Sequence, residues 1–393
     1  MPSITQPMSI DFLPSSTALE LFAIGAPGLE RALFQELCAI CPQAKLVQTP
    51  EGCTVVGDLE TLYRLNLHSR LSTRVLLRVG KLRALHFPEL RRKVAQLPWP
   101  QFAKSAVRLR VSASAHRCRL IHTGALIERV ELAVADSGVT PTDDPDAPLL
   151  HVFVRGQADQ FTLSVDTSGE LLHRRGYRQE DGGAPLRETL APALLALANF
   201  SDATALCDPM CGSGTLAIEA ALVALRRAPG LQRSFAFFDW PGFSPSLWQK
   251  LREESQAAER RTLPQPIWAS DRDPKVIEIA RRNAERAGVA EYVSFAVCAV
   301  AQLRLPPVET GLILCNPPYG KRLHDPQLVE TYRSLLHLWR RSPGFQLAVF
   351  TPSAKLAAAA GTKTCLATLH NGGLRVGLYG SEPVRESAAV TLF

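Results

Sequence analysis

The residues best suited to chemistry are Asn316, Pro317, Pro318 and Tyr319, which follow the apolar run Gly311-Leu312-Ile313-Leu314-Cys315. That run reads as a buried strand. Pro317 keeps Asn316 out of the helical region, and two prolines in succession stiffen the turn. An amide oxygen and an aromatic ring are therefore expected at the carboxyl edge of a sheet, where open α/β folds bind ligands. The Asn316 side-chain oxygen, with a backbone carbonyl from the proline pair, could accept both protons of an exocyclic amine. Tyr319 could stack on the ring that carries this amine, leaving its lone pair aimed at an electrophile. The plainer alternative is a proline-rich turn after a core strand.

Two further stretches supply a partner for that turn. Thr204-Ala205-Leu206-Cys207 reads as a short strand running into Asp208-Pro209-Met210-Cys211-Gly212-Ser213-Gly214-Thr215, and Leu216 to Leu222 reads as a helix. Strand, glycine turn and helix is a nucleotide-binding layout. It lacks the Gly-Lys-Ser/Thr of a Walker A loop and is not a full GxGxxG. The acid at the strand end suits a cation or an amine rather than a pyrophosphate. In Ile267-Trp268-Ala269-Ser270-Asp271-Arg272-Asp273-Pro274, a strand ends at Asp271, placed to bind ribose hydroxyls. Asp273 and Pro274 fit the N-cap and first position of the next helix.

In this order, the three motifs resemble class I methyltransferases directed at amino groups. The resemblance implies S-adenosyl-L-methionine (SAM) as cofactor. It places Asp208 near the methionyl amine and lets the backbone of Pro209, Met210, Cys211, Gly212, Ser213, Gly214 and Thr215 approach the cofactor. Asp271 and Arg272 would lie at the ribose, and Asn316 beside both cofactor and target amine. This chemistry needs no metal and no nucleophilic side chain. In such enzymes the strand after Asp271 usually ends in an acid that meets the adenine amino group. Here that position is Ala299, so backbone groups or Gln302 are expected to replace it.

The chain has 393 residues, 46% of them hydrophobic, enough for two or three domains with sizeable cores. No apolar run approaches the roughly 20 residues of a membrane span. The N-terminus, with Pro2, Pro7, Asp11 and Pro14, is not a secretory signal. Nine cysteines in apolar or motif contexts read as free thiols in a reducing cytoplasm. Cys38 and Cys41 have zinc-like spacing without a second pair, so buried helix cysteines are expected. The net charge of +7 is unevenly spread: from Arg64 to Arg119 there are fourteen basic residues and one acid, Glu89. That block, with Arg91, Arg92 and Lys93 at its centre, reads as a footprint for a phosphate backbone.

Residues 1–18 read as a disordered tail. Strands at 19–24 and 54–57, with helices at 29–40 and 59–70, suggest a ferredoxin-like domain over 19–70. Residues 71–167 carry strands near 75–79, 107–114, 149–156 and 160–166, and a helix over 124–137. With the basic block, this region resembles a THUMP domain, an RNA-binding module of RNA-modifying enzymes. Residues 168–184, which include Leu172-His173-Arg174-Arg175-Gly176-Tyr177-Arg178, read as a connection into a methyltransferase domain over 185–393. The opening segment of that domain, around Leu186, Glu188 and Thr189, is similar to that of bacterial RlmL-like THUMP methyltransferases, which act on guanine N2 of 23S rRNA. That resemblance implies that these three residues lie over the cofactor; an amphipathic packing helix is the alternative. Beyond, helices are expected at 246–261, 274–288 and 326–341, strands at 293–297 and 345–350, and a last hairpin of 374–379 with 388–393 after Asn371-Gly372-Gly373. The expected fold is therefore α/β, a Rossmann-like methyltransferase sheet preceded by an α+β RNA-binding region. The resemblance implies a cytoplasmic monomer or weak dimer that methylates the N2 amine of a guanosine in 23S rRNA. Alternatives are tRNA guanine-N2 methylation, N6-adenine methylation, and a catalytically silent RNA-binding or ribosome-assembly factor.

Overall fold

A computed structural model describes residues 18–179, 186–319, 326–371 and 373–381. The expected tail, part of the connection before residue 185 and the strand expected at 388–393 lie outside the described residues. The chain builds two seven-stranded sheets.

The first sheet begins with β1 (Leu19–Ile24), α1 (Glu30–Ile40), β2 (Lys45–Thr49), β3 (Gly52–Gly57), α2 (Leu59–His68) and β4 (Arg74–Arg83). Their strand order, β2-β3-β1-β4, is antiparallel and ferredoxin-like. Asp58 starts α2 with a capping box: its side chain accepts the Thr61 N–H, and the Thr61 hydroxyl accepts from the Asp58 N–H. The chain continues through α3 (Phe87–Ala95), β5 (Arg108–His116), α4 (Thr123–Asp136), β6 (Leu149–Gln157) and β7 (Gln160–Asp166). β7 pairs with β4, so the sheet runs on without a break as β4-β7-β6-β5. The expected boundary at 70/71 thus falls inside one sheet, and the ferredoxin-like unit needs β4 as its edge-completing strand. The second half fits the THUMP-like region. Neither β2, whose residues are exposed or half-buried, nor α3 was foreseen from sequence.

Alternation divides this sheet's two faces. Leu21, Val55, Val75, Leu77, Val152, Leu163 and Val165 point into one apolar core with Leu33 and Leu37 of α1, Leu62 of α2 and Val130 of α4. No described helix covers the other face.

The second sheet carries α5 (Leu190–Leu197), β8 (Ala205–Asp208), α6 (Thr215–Ala224), α7 (Pro245–Ala257), β9 (Ile267–Asp271), α8 (Pro274–Arg286), β10 (Val293–Val297), β11 (Gly311–Cys315), α9 (Pro326–Arg340), β12 (Phe345–Thr351), α10 (Ala354–Ala359), β13 (Thr364–Asn371) and β14 (Leu374–Gly380). Strand order is β10-β9-β8-β11-β12-β14-β13. β8 to β12 are parallel, and β14 runs antiparallel between β12 and β13. Both faces are covered: Leu206, Leu312 and Leu314 enter the core shared with α6, and Cys207, Ile313 and Cys315 enter a second core with Tyr332 and Leu335 of α9. The expected last hairpin is corrected. Leu374–Gly380 pairs back onto Thr364–Asn371, so the strand that begins at Leu374 takes an upstream partner rather than a later one.

The two sheets are docked by an apolar and a charged seam. Tyr63 of α2 stacks on Phe237 at 4.7 Å and meets Trp248 of α7 edge-on, and its hydroxyl accepts the Ser244 N–H at 2.9 Å. Arg70 is buried, donating to the carbonyls of Leu222 and Arg227 at 3.1 and 2.6 Å.

Candidate active site

β8 is the middle one of the five parallel strands, and the sheet order reverses there, between β9 and β11. Such a switch point leaves a crevice outside the carboxyl ends of the strands. Asp208, Asp271 and Asn316 sit at or just beyond the ends of β8, β9 and β11, so the three motifs converge on this crevice.

Asp208 is buried, and its Oδ1 accepts the Met210 N–H at 3.3 Å. Burial pushes its pKa up to about 8, against that hydrogen bond, and the Asp271 charge adds to the rise. The following loop is anchored at several points. The Cys211 N–H donates to the Ser270 carbonyl at 2.9 Å, and the Gly212 N–H donates to Asp271 Oδ2 at 3.2 Å. Gly212 has φ +54°, with open space where a Cβ would point. Gly214, at φ +85°, serves packing instead, since a Cβ there would meet the Ala280 Cβ of α8 at 3.0 Å. Buried Asn283 of α8 donates to the Ser213 carbonyl at 3.1 Å. Asn283 was missed from sequence, although a polar residue in the apolar stripe Ile277-Ala280-Ala284 was a usable signal.

Asp271 joins two motifs. While Oδ2 holds Gly212, Oδ1 accepts the Asp273 N–H at 3.1 Å, and Asp273 accepts the Lys275 N–H at 2.9 Å as the N-cap of α8. Arg272 is exposed. Ala299 is half-buried, its carbonyl accepting the Gln302 N–H at 2.9 Å, while Gln302 itself is exposed.

Asn316 carries the clearest signal. Its Oδ1 is buried without a hydrogen-bond partner among the described residues. A buried amide oxygen in that condition costs free energy until something donates to it. Pro317 is buried and Pro318 exposed. Half-buried Tyr319 accepts a hydrogen bond from Asn371 Nδ2 at 2.8 Å, which ties its hydroxyl to β13, and burial raises its pKa. Thr215, the first residue of α6, also has a buried hydroxyl without a partner.

Leu186, Glu188 and Thr189 are all buried just before α5. Glu188 forms an ion pair with Arg178 at 3.1 Å, without good hydrogen-bond alignment, and Arg178 donates to the Leu186 carbonyl at 2.7 Å. Burial pushes Glu188 up to about 7, opposed by Arg178 and reinforced by Glu219. Glu219 is fully buried in α6. It accepts the Tyr177 hydroxyl at 3.0 Å and lies 3.5 Å from Arg175 Nε and 3.9 Å from Arg70 Nη1. This cluster was not foreseen, although a single acid in the otherwise apolar Leu216-Ala217-Ile218-Glu219-Ala220-Ala221-Leu222 marks a buried charge that needs partners.

These features fit SAM. A buried acid suits its ammonium. The start of α6, with a hydroxyl lacking a partner, suits its carboxylate. The cradle at Gly212 leaves room for close approach. Among the described residues, no group of His, Cys, Asp and Glu could hold a metal ion, and no helix is long and apolar enough to cross a membrane.

Strand order and crevice define a class I, SAM-dependent methyltransferase. Comparison with known proteins narrows the class. Residues 175–372 match the model of the RMKL-like methyltransferase domain, and residues 20–76 match that of the RlmL ferredoxin-like domain. The chain belongs to this RMKL-like methyltransferase family. It is 35% identical to a Synechocystis sp. protein named "Putative RNA methyltransferase", over 92% of this chain and 96% of the relative. It is 38% identical to the "Ribosomal RNA large subunit methyltransferase K/L" of Syntrophotalea carbinolica over 91% of this chain, and spans about half (52%) of that longer protein. Among solved structures, one described as a predicted N6-adenine-specific DNA methylase from Listeria monocytogenes superposes with TM-score 0.84 at 30% identity, covering 93% of this chain and 96% of its own. Another, complexed with SAH, superposes with TM-score 0.84 at 27% identity, covering 95% of this chain and 100% of its own.

Proposed function

We propose that this protein is an RNA methyltransferase acting in the cytoplasm on the exocyclic N2 amine of a guanosine in 23S rRNA. The observation that carries this reading is the buried Asn316 Oδ1, without a hydrogen-bond donor among the described residues, beside the crevice where SAM fits. Asn316 Oδ1 and the Pro317 carbonyl accept the two amine protons, and Tyr319 stacks on the base. The hydroxyl bond from Asn371 holds the Tyr319 edge and leaves its ring faces for stacking. Bound SAM supplies an electrophilic methyl group on sulfur. The amine nitrogen turns tetrahedral as it attacks, its protons gain charge, and two carbonyl-type acceptors favour that change. The proton released afterwards passes to solvent. Asp271 takes the ribose hydroxyls, beside Arg272, and Asp208 takes the ammonium. Leu186, Glu188 and Thr189 border the cofactor from the start of α5. The target base leaves its stack or is presented unpaired.

RNA as substrate, and 23S rRNA in particular, draws support from the named relatives and from the region preceding the catalytic sheet. The likeness to the Listeria protein, a predicted N6-adenine-specific DNA methylase, favours a second reading, N6-adenine methylation, because adenine N6 is also an aryl amine that the same turn would hold. Incubation with tritiated SAM and total rRNA, tRNA or DNA, followed by nucleoside analysis, tests both. Label in N2-methylguanosine from 23S rRNA is expected. Label in tRNA shifts the substrate, and label in N6-methyladenosine or its deoxy form sinks the guanine assignment.

A further inference from the structure

The uncovered face of the first sheet is not an ordinary solvated surface. The registers Phe22↔Leu76, Arg78↔Ser164, Ser164↔Phe153 and Phe153↔Ser112 run across it, so alternate residues of five strands share one side. They enclose an open basin of about 560 Å³, the size of a small-ligand cleft. Its surface combines rings and cations. The Arg78 guanidinium lies 4.8 Å over the Phe22 ring, and the Arg74 guanidinium lies 5.6 Å over Phe153. His151 stands 4.2 Å from the Phe153 ring, ring centre to ring centre. Cations that include Arg74, Arg78, Lys81, Arg83, Arg110 and Arg155 share the face with the carboxylates Glu20, Glu51 and Asp166, each already paired with one or two of them. Burial, with the charges of Arg74 and Arg110, pushes His151 down to about 4, as a positive local potential requires.

From this geometry we infer that the basin is a platform for a single-stranded RNA segment, one or two bases stacking on Phe153 and the neighbouring guanidinium planes while Arg110, Lys81 and Arg155 meet phosphates. The inference rests on the RNA reading above and names the surface that would serve it. Rings interleaved with planar cations fit unpaired bases, whose faces are free to stack. A duplex hides those faces and would touch only the rim. The basic block between Arg64 and Arg119 contributes only part of this face. Arg64 pairs with Glu60 and Glu254, Arg70 is buried at the domain seam, and Arg91 is held by Asp136 of α4. Arg155 comes from outside the block. On this inference the RNA contacts lie on strand interiors rather than at Arg91, Arg92 and Lys93.

Fluorescence anisotropy with a short labelled oligouridylate and a short RNA duplex tests this on the full-length protein. Phe153→Leu and Arg110→Glu are each expected to weaken oligouridylate binding by roughly 5- to 100-fold, with SAM affinity and thermal melting unchanged. Arg92→Glu, on α3, is expected to leave oligouridylate binding at the parental level. Arg110 is exposed, so its variant remains informative if Phe153→Leu misfolds. Parental oligouridylate affinity in a folded Arg110→Glu variant, or a parental preference for duplex, overturns the platform. Tritiated SAM with total rRNA and tRNA separates the platform from the methyl-transfer reading. If RNA is methylated but Arg110→Glu binds oligouridylate normally, the platform fails alone. If Arg110→Glu loses oligouridylate while no RNA accepts methyl, the platform stands and the methyltransferase reading of the substrate fails.

Discussion

The two sheets use the same periodicity to opposite ends. In the second, β8 and β11 are buried on both faces, and function gathers where strands stop: Asp208, Asp271 and Asn316 all lie at carboxyl ends. In the first, the described helices cover one face only, and the basic and aromatic residues considered above lie along strand interiors on the other side. A parallel sheet wrapped in helices can expose polar groups only at its edge. A sheet with one covered face can present a broad surface. The difference places a fully buried acid at the crevice and mostly solvent-accessible charges on the face. Asp208 is pushed to about 8 by burial, whereas most of the face's cations remain within reach of solvent.

The contrast can be broken most sharply at the seam. Arg70→Met removes a buried cation flanked by Glu36 and Glu219, leaving Arg175 to face the Glu219 charge without it. A loss of about 3–5 kcal/mol is expected, and urea melts should show both sheets unfolding together. A small change, or a separate early transition of one sheet, would show that they are not one cooperative unit. At the crevice, Asn316→Ala should slow methyl transfer by roughly 10²–10³ while SAM affinity holds. Single-turnover assays at saturating enzyme and SAM isolate this step, and a parental rate would reduce the turn to a structural role. Asp271→Ala should weaken SAM by about 1.5–3 kcal/mol, read by calorimetry, because it removes a charged acceptor and frees the Gly212 loop. Unchanged affinity in a folded variant would move the ribose contact elsewhere.

The remaining effect concerns pH. Asp208 has a folded pKa of about 8, above its ordinary 3.8. Between these values the folded state holds more protons than the unfolded, so stability falls as pH rises from about 4 to 8. Asp208→Asn should flatten this part of the slope without SAM, measured as the difference in urea midpoint between pH 5 and pH 8, about the limits of that window. An identical midpoint shift in both proteins would mean that Asp208 is already ionised below pH 5.

Much of the second sheet was legible because its signals are local. Asp208 to Thr215, Asp271 to Pro274 and Asn316 to Tyr319 each combine strand end, turn and cap within a few residues, and short-range backbone constraint makes such segments readable. Less could be read where pairing partners were distant or apolar contrast was weak. β2 carries no buried stripe, and the strand that begins at Leu374 was joined to the wrong partner because the true one lies upstream.

The sequence alone determined the class of sheet, the order of the motifs and the residues at the strand ends. Proline, glycine and capping acids restrict backbone angles wherever they occur, whatever packs around them. Tertiary structure decided which charges remain available. Arg70, Arg74 and Arg78 are spaced alike in sequence, yet Arg70 is sealed into the seam while the other two lie over aromatic rings on the open face. It also decided that Glu219 would be buried among Arg70, Arg175 and Tyr177. The reason is physical: a charge's surroundings are set by what folds against it, and residues far apart in the chain supply them.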